Sequence, residues 1–191
     1  MLRVIAGCAK KRKLKTPPGL GVRPTSDRVK EALFNILGSI VTDCSFLDLF
    51  AGSGNIGIEA LSRGAANAVF VENNKKNLMV IKENLHLTGL ADKARLIHGE
   101  VKAVLPKLGS ENQVFDIIFL DPPYLKDHQT ETLAAIARHG LLKPDGRVIV
   151  ESSKNQHLPR NAGDLEIIRQ EKYGDTLLSF YRSRVLAGGG V

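Results

Sequence analysis

The chemistry in this 191-residue chain is concentrated in two short segments, each at the end of an apolar run. The sharper is Asp121-Pro122-Pro123-Tyr124, which follows Phe115 to Leu120. A residue before proline is pushed to extended dihedrals, so Asp121 and Pro122 are both held extended. The two proline nitrogens carry no hydrogen, which leaves a stiff segment rich in acceptors. Such a segment suits a planar ring bearing an exocyclic amine. The Asp121 carboxylate and the Pro122 carbonyl can each accept one amine hydrogen, and Tyr124 can stack on the ring. An aryl amine is a poor nucleophile because its lone pair is delocalised into the ring. Holding both hydrogens out of the preferred plane makes that pair more available to an electrophile, a matter of positioning and electrostatics. A Pro-Pro turn that merely ends a strand would leave Asp121 and Tyr124 without a task.

The second segment runs from Asp48 through Phe50-Ala51-Gly52-Ser53-Gly54-Asn55-Ile56-Gly57. It satisfies G-x-G-x-x-G between a strand and a helix, with Glu72 twenty residues beyond Gly52. Taken literally this is a dinucleotide fingerprint, its glycines admitting close backbone approach and its acid binding ribose hydroxyls. Asp48 pulls away from that reading, because a pyrophosphate gains nothing from a carboxylate four residues before the first glycine. An acid there suits a cation, such as the ammonium end of an amino acid. S-adenosylmethionine has an amino-acid tail, a ribose and an adenine. Asp48, the loop Ala51-Gly52-Ser53-Gly54, Glu72 and Glu100 are placed to serve those parts in turn, with Glu100 accepting from the adenine amino group. A tight strand-to-helix turn would explain the glycines but not acids at three successive strand ends.

The elements that must position these groups alternate along the chain. Strands are expected at Phe46 to Phe50, Ala68 to Glu72, Ala94 to His98, Phe115 to Leu120 and Gly146 to Glu151. Helices are expected from the glycine loop through Leu61, over Asn74 to Leu87, Val101 to Leu108 and roughly Thr130 to His139. Leu165 to Lys172 and Thr176 to Arg182, joined at Tyr173-Gly174-Asp175, read as a hairpin. The fold class is therefore α/β, a Rossmann-like, doubly wound, mostly parallel sheet of seven strands with a C-terminal antiparallel hairpin. In such sheets ligands lie across the carboxyl ends of the strands, so the loops after Phe50, Val71, His98 and Leu120 are expected to line one crevice.

Before this unit, Leu2 to Ala6 reads as a short strand, followed by a basic stretch and a Pro17-Pro18-Gly19 turn. Pro24-Thr25-Ser26 offers a helix N-cap, and Val29, Ala32, Leu33, Ile36 and Leu37 recur at helical spacing up to Gly38. Residues 1–30 hold nine Lys or Arg against one acid, whereas the other 161 hold 18 against 19. The net charge of +7 thus sits on one arm, as polyanion binding asks, since each phosphate neutralised releases counterions. The 43% hydrophobic and 25% charged composition excludes a disordered or fibrous chain. The uncharged run Ala32 to Thr42 is far short of the ~20 residues of a membrane span. The start, MLRVIAGCAKKRK, has no secretion-signal core. Cys8 and Cys44 make no disulfide framework, and a cytoplasmic address is expected. His86, His98, His128, His139 and His157 show no ligand spacing, so no metal is expected.

FLDLFAGSG, the Glu72 strand end and DPPY, in this order, resemble the class I S-adenosylmethionine-dependent methyltransferases that modify exocyclic amines of bases. LRVIAGCAKKRKLKTP followed by VRPTSDRVKEALFNIL resembles the bacterial 16S ribosomal RNA (guanine-N2)-methyltransferase family, from Arg3 to about Arg182. The resemblance implies methylation of a guanine amine in 16S rRNA, on the small ribosomal subunit or an assembly intermediate. Asp48, Gly52 and Gly54 would hold the methionine end, Glu72 the ribose, and Asn73 and Val101 the adenine. Asp121, Pro122 and Tyr124 would hold the guanine amine as the catalytic set. Glu100 stands where many related enzymes carry Asp. Residues 1–40 would form a basic RNA-binding extension through Arg3, Lys10, Lys11, Arg12, Lys13, Arg23 and Arg28. Residues 41–185 would form the methyltransferase domain and 186–191 a disordered tail. Thr25 also falls where the family motif approaches the crevice, with no task evident from sequence. A monomer is expected, with no membrane contact. Three rivals are a DNA adenine amino-methyltransferase, a NAD-dependent oxidoreductase, and a non-catalytic ribosome-assembly factor that binds RNA. The first usually needs a target-recognition insertion, for which no connection has room.

Overall fold

The computed structural model describes residues 2–17, 25–122 and 128–184. Tyr124 and Arg23, and the expected tail, lie outside the described residues. The central strands β1 (Ser45–Leu49), β2 (Asn67–Glu72), β3 (Ala94–His98), β4 (Phe115–Leu120) and β5 (Leu142–Ser153) are parallel in spatial order β3-β2-β1-β4-β5. Three antiparallel strands extend the β5 edge: β6 (Asn161–Ala162), β7 (Leu165–Tyr173) and β8 (Thr176–Ser183), in order β5-β8-β7-β6. The sheet thus has the seven expected strands plus a two-residue eighth on its rim.

Burial on both faces explains why these strands read as continuous apolar runs. Phe46, Phe70, Ile117, Phe119 and Ile149 face one side and pack against α1 (Asp27–Leu37), α2 (Asn55–Ser62) and α3 (Lys75–Thr88). Leu47, Val69, Ile118, Leu120, Val148 and Val150 face the other, against α4 (Val101–Ser110) and α5 (His128–Arg138). Because side chains alternate, Asp48 shares its face with Phe46, and Asp121 and Glu151 continue the row of Phe119 and Ile149. Three carboxylates therefore end one face of the sheet, on the side that α1 covers. The cap of α1 is as expected: Ser26 Oγ accepts from Val29 N at 3.3 Å.

The expected strand over Leu2 to Ala6 is corrected to a single antiparallel bridge, Arg3 to Lys13. The reason is competition for its amides: Ile5 N and Ala6 N donate to the Glu59 carboxylate on α2 at 2.8 and 3.0 Å. The chain then turns at Gly7 (φ +82°), pressed so closely on α2 that a Cβ there would lie 1.7 Å from the Ser62 carbonyl oxygen. Cys8 N donates to that carbonyl at 2.8 Å, and Ala9 N to Ser62 Oγ at 3.0 Å. Farther on, Asn84 of α3 takes Lys15 N at 2.7 Å and returns a bond to Lys15 O at 3.0 Å. Leu2, Val4, Ala9 and Leu14 join the same core as the sheet. Pinned in this way, the arm presents Lys10, Lys11, Arg12 and Lys13 to solvent on one tight loop. Arg28 is exposed on α1, and Arg3 pairs with Asp27 at 2.9 Å.

Candidate functional site

The loops at the carboxyl ends of β1 to β4 converge on a cavity of about 720 Å³, within the range of small-molecule sites. It is lined by Asp48 and Ala51 to Ser53 from the first loop, Glu72 to Asn74 from the second, Gly99 to Lys102 from the third, and Asp121 and Pro122 from the fourth. Among the described residues the cavity thus gathers Asp48, Ala51, Gly52, Ser53, Glu72, Asn73, Glu100, Val101, Asp121 and Pro122, all expected from sequence. Gly54 sits just behind, as the left-handed N-cap of α2.

The glycine loop is shaped by its neighbours. Gly57 lets α2 press on the sheet, since a Cβ there would meet the Phe70 ring at 2.3 Å. That approach brings Gly57 N to Asp48 Oδ2 at 2.9 Å. Phe50, a non-glycine residue, takes φ +62° at the point where β1 enters the loop. Such strain persists only where surroundings enforce it, and it clusters at ligand sites. Gly52 N donates to Glu72 Oε2 and Asn74 N to Glu72 Oε1, both at 2.8 Å. Glu72 thereby ties the first and second loops together. Each of its oxygens keeps a second lone pair for a hydroxyl. Asn84 Nδ2 binds the Ser53 carbonyl at 2.9 Å, so one side chain fixes both the glycine loop and the arm. Asn73 Nδ2 reaches Glu100 Oε1 at 3.3 Å, and both side chains are exposed at the cavity's rim.

The electrostatics run against an anion. Burial drives the Asp48 carboxyl up to about 8, the bond from Gly57 opposing and the charge of Glu72 adding. Asp121 is raised well above the carboxylate range by burial, then by Glu151 and Asp48. Glu151 is raised by burial, with its bond from Thr25 opposing. Among the described residues none of the three is ion-paired with a lysine or arginine. The donor set therefore fits a ligand that brings positive charge, as an ammonium or sulfonium does.

Sequence reasoning missed Glu151 and left Thr25 without a role. Thr25 Oγ1 donates to Glu151 Oε2 at 2.7 Å, joining the start of α1 to the end of β5. Nothing local marks this pair, whose members lie 126 positions apart. Thr16 and Pro17 of the arm also line the cavity, so the basic extension borders the site directly. Asn55 adds another unforeseen group. Lys30 Nζ donates to its Oδ1 at 2.6 Å, which fixes the amide, while its buried Nδ2 has no partner among the described residues and Asn55 lines the cavity.

A profile of the family described as "Conserved hypothetical protein 95" matches residues 2–182. The chain is 38% identical over 183 residues to YlbH of Bacillus subtilis (strain 168), provisionally named an rRNA methyltransferase, covering 96% of this chain and 100% of that protein. It is 34% identical over 181 residues to ribosomal RNA small subunit methyltransferase D of Escherichia coli (strain K12), covering 95% and 89%. The solved structure of the E. coli protein yhhF, described provisionally as a methyltransferase, superposes with a TM-score of 0.83 at 32% identity. That match covers 96% of this chain and 98% of the other.

Proposed function

The chain belongs to the Conserved hypothetical protein 95 family, and from that premise we propose that it is an S-adenosylmethionine-dependent methyltransferase acting on the exocyclic amine of a guanine in 16S rRNA. The observation that carries the reading is the row of three carboxylates, Asp48, Asp121 and Glu151, on one sheet face without a basic partner among the described residues. Such a row disfavours the pyrophosphate of NAD and favours a cation. The E. coli relative is named a small-subunit rRNA methyltransferase, which supports rRNA as the polyanion for the basic arm.

Asp48 would hold the ammonium end of the cofactor and the Ala51-to-Gly54 loop the rest of its methionine end, with Glu72 on the ribose and Asn73, Glu100 and Val101 on the adenine. When bound, S-adenosylmethionine supplies an electrophilic methyl on sulfonium, so that carbon–nitrogen bond formation and carbon–sulfur cleavage balance without an oxidant or reductant. Asp121 and the Pro122 carbonyl accept the two amine hydrogens and expose the nitrogen lone pair. Asp121, with its raised proton affinity, takes the proton that the alkylated amine must lose. No covalent enzyme intermediate is needed: Cys8 is exposed on the arm, and burial pushes the Cys44 thiol up to about 12. The target base must be turned into the pocket, at a cost of a few kcal/mol that is smaller for a loop base. Residues 1–40 read RNA shape rather than base edges, through Lys10 to Lys13, Arg3 and Arg28. Among the described residues no helix is long and apolar enough to cross a membrane. On this reading the enzyme works as a monomer in the cytoplasm.

The test is transfer of labelled methyl to unmethylated small subunits, naked 16S rRNA and duplex DNA in parallel, with the product nucleoside identified by mass spectrometry. N2-methylguanosine in either ribosomal substrate is expected. Methyladenine in DNA, or binding of cofactor with no transfer to any substrate, would overturn the reading.

A pH dependence of cofactor binding follows from Asp48. In the free protein its carboxyl is protonated below about pH 8, whereas the ammonium of the ligand favours the charged form. Affinity for S-adenosylhomocysteine, which shares that ammonium, is expected to rise as pH increases from 6 towards 8. The limiting slope is about tenfold per unit, with proton release on binding. Above about pH 8 the gain stops, because Asp48 is then already ionised in the free protein. Calorimetry in two buffers of different ionisation enthalpy reads both quantities. Asp48→Asn should flatten the acid limb, and a flat limb in the wild type would remove Asp48 from the ammonium site.

A further inference from the structure

Glu151 is the one carboxylate of the row to which the reaction, as described so far, gives no task. The register pairs Leu120 with Val150, so Asp121 and Glu151 are the next residues on two adjacent parallel strands and project from the same face. Neighbouring strands lie about 4.8 Å apart. Asp121 feels the charge of Glu151 directly. Thr25 lines the cavity and fixes the Glu151 carboxylate through Oε2 at 2.7 Å. Among the described residues no donor meets Oε1. A hydroxyl from the start of α1 therefore orients a second acceptor beside the one that takes the amine.

When both act as acceptors, two carboxylates side by side match a base edge that presents two adjacent donors. Guanine presents two adjacent donors, the N1–H and the 2-amine. Adenine and cytosine set a ring-nitrogen acceptor beside their amine, and that acceptor would face carboxylate oxygen with no hydrogen between them. On the reading proposed above, we infer that Glu151, oriented by Thr25, accepts the N1–H of the target guanine and sets the base specificity of the site. Rejection of bases that lack this hydrogen is expected to be large, because sites built around a substrate hydrogen bond strongly reject analogues without it. Glu72 and Asp48 lie toward the cofactor end of the same crevice and do not share this task.

The test uses the whole protein and unmethylated small subunits. The subunits are reconstituted from ligated 16S rRNA carrying guanine or 2-aminopurine at the nucleotide that the wild type methylates. 2-Aminopurine keeps the 2-amine but has a bare N1. The wild type is expected to prefer guanine by at least ~100-fold. Glu151→Gln keeps an oxygen for Thr25 and turns an amide N–H₂ toward the base. It should lose at least ~100-fold on guanine, narrow the guanine-to-aminopurine ratio tenfold or more, and bind S-adenosylhomocysteine within threefold of wild type. A merely structural loss would lower both substrates together. An unchanged ratio in Glu151→Gln, or equal use of both bases by the wild type, overturns the inference while leaving the methyltransferase intact. Failure of the wild type to methylate any guanine overturns the underlying reading and this inference with it.

Discussion

Replacing Asp121 by alanine is expected to lower methyl transfer about 10³-fold while affinity for S-adenosylhomocysteine stays within a few-fold of wild type. The carboxylate is placed to accept an amine hydrogen and then the departing proton. Positioned proton transfer is worth roughly 10²–10⁴-fold, and a single preorganised hydrogen bond to a developing charge roughly 10²–10³-fold. The two roles fall on one residue, so their effects overlap rather than multiply. Cofactor binding survives because its polar contacts lie on other loops: Asp48 beside Gly57, and Glu72 between Gly52 and Asn74. Asp121→Asn retains one acceptor oxygen but no proton affinity, and is expected to fall between alanine and wild type. Single-turnover transfer with preloaded cofactor, alongside calorimetry, checks both halves. Undiminished transfer in the alanine variant would place the amine pocket elsewhere in the crevice.

The parts of this site legible in the sequence are those whose signal is local. β3 and β4 are found at their expected bounds: β4 is a nearly continuous apolar run closed by Asp121-Pro122, and β3 a short stretch around Leu96-Ile97 closed by Gly99-Glu100. The start of α3 follows from Asn74, whose side chain caps Lys76 N at 2.9 Å. The glycine loop announces a turn, and Glu72 at its fixed distance announces the partner of that turn. What was illegible depends on residues distant in sequence. Leu2 to Ala6 has strand composition, but Glu59 takes two of its amides, and nothing in the arm foretells an acid more than fifty positions away. Glu59 itself, in a helix ending Ala60-Leu61-Ser62, carries no local mark of burial. It becomes a buried charge only because the arm crosses α2. Thr25 and Glu151 each look like unremarkable boundary residues until α1 is laid over the end of β5. β5 also starts before the expected Gly146: Leu142 already pairs with Phe115, and after a register shift over Lys143-Pro144-Asp145-Gly146 the pairing resumes at Arg147 opposite Ile117.

The buried pair Lys30–Glu59 supports the largest expected change in stability. Both side chains are fully buried, with Nζ and Oε2 3.4 Å apart. Burial pushes the Lys30 ammonium below its usual range while Glu59 pulls it back. Glu59 also accepts from Ile5 N, Ala6 N and Arg63 Nε, so one carboxylate joins α1, α2 and the arm. Glu59→Gln keeps the volume and one acceptor but leaves the ammonium with only the Arg3 carbonyl and Asn55 Oδ1. Orphaning one member of a buried pair costs about 3–5 kcal/mol, a large share of the roughly 5–15 kcal/mol that holds a domain together. Urea unfolding is expected to show that loss. If its origin is the uncompensated cation, adding Lys30→Met to Glu59→Gln must recover part of it, because the methionine fills similar space without charge. Simple addition of two destabilisations would locate the cost in packing instead. The same single variant loosens the amides of Ile5 and Ala6, and with them the loop that carries Lys10 to Lys13. RNA affinity at moderate salt should therefore fall more than cofactor affinity, and its salt dependence should become shallower as phosphate contacts are lost.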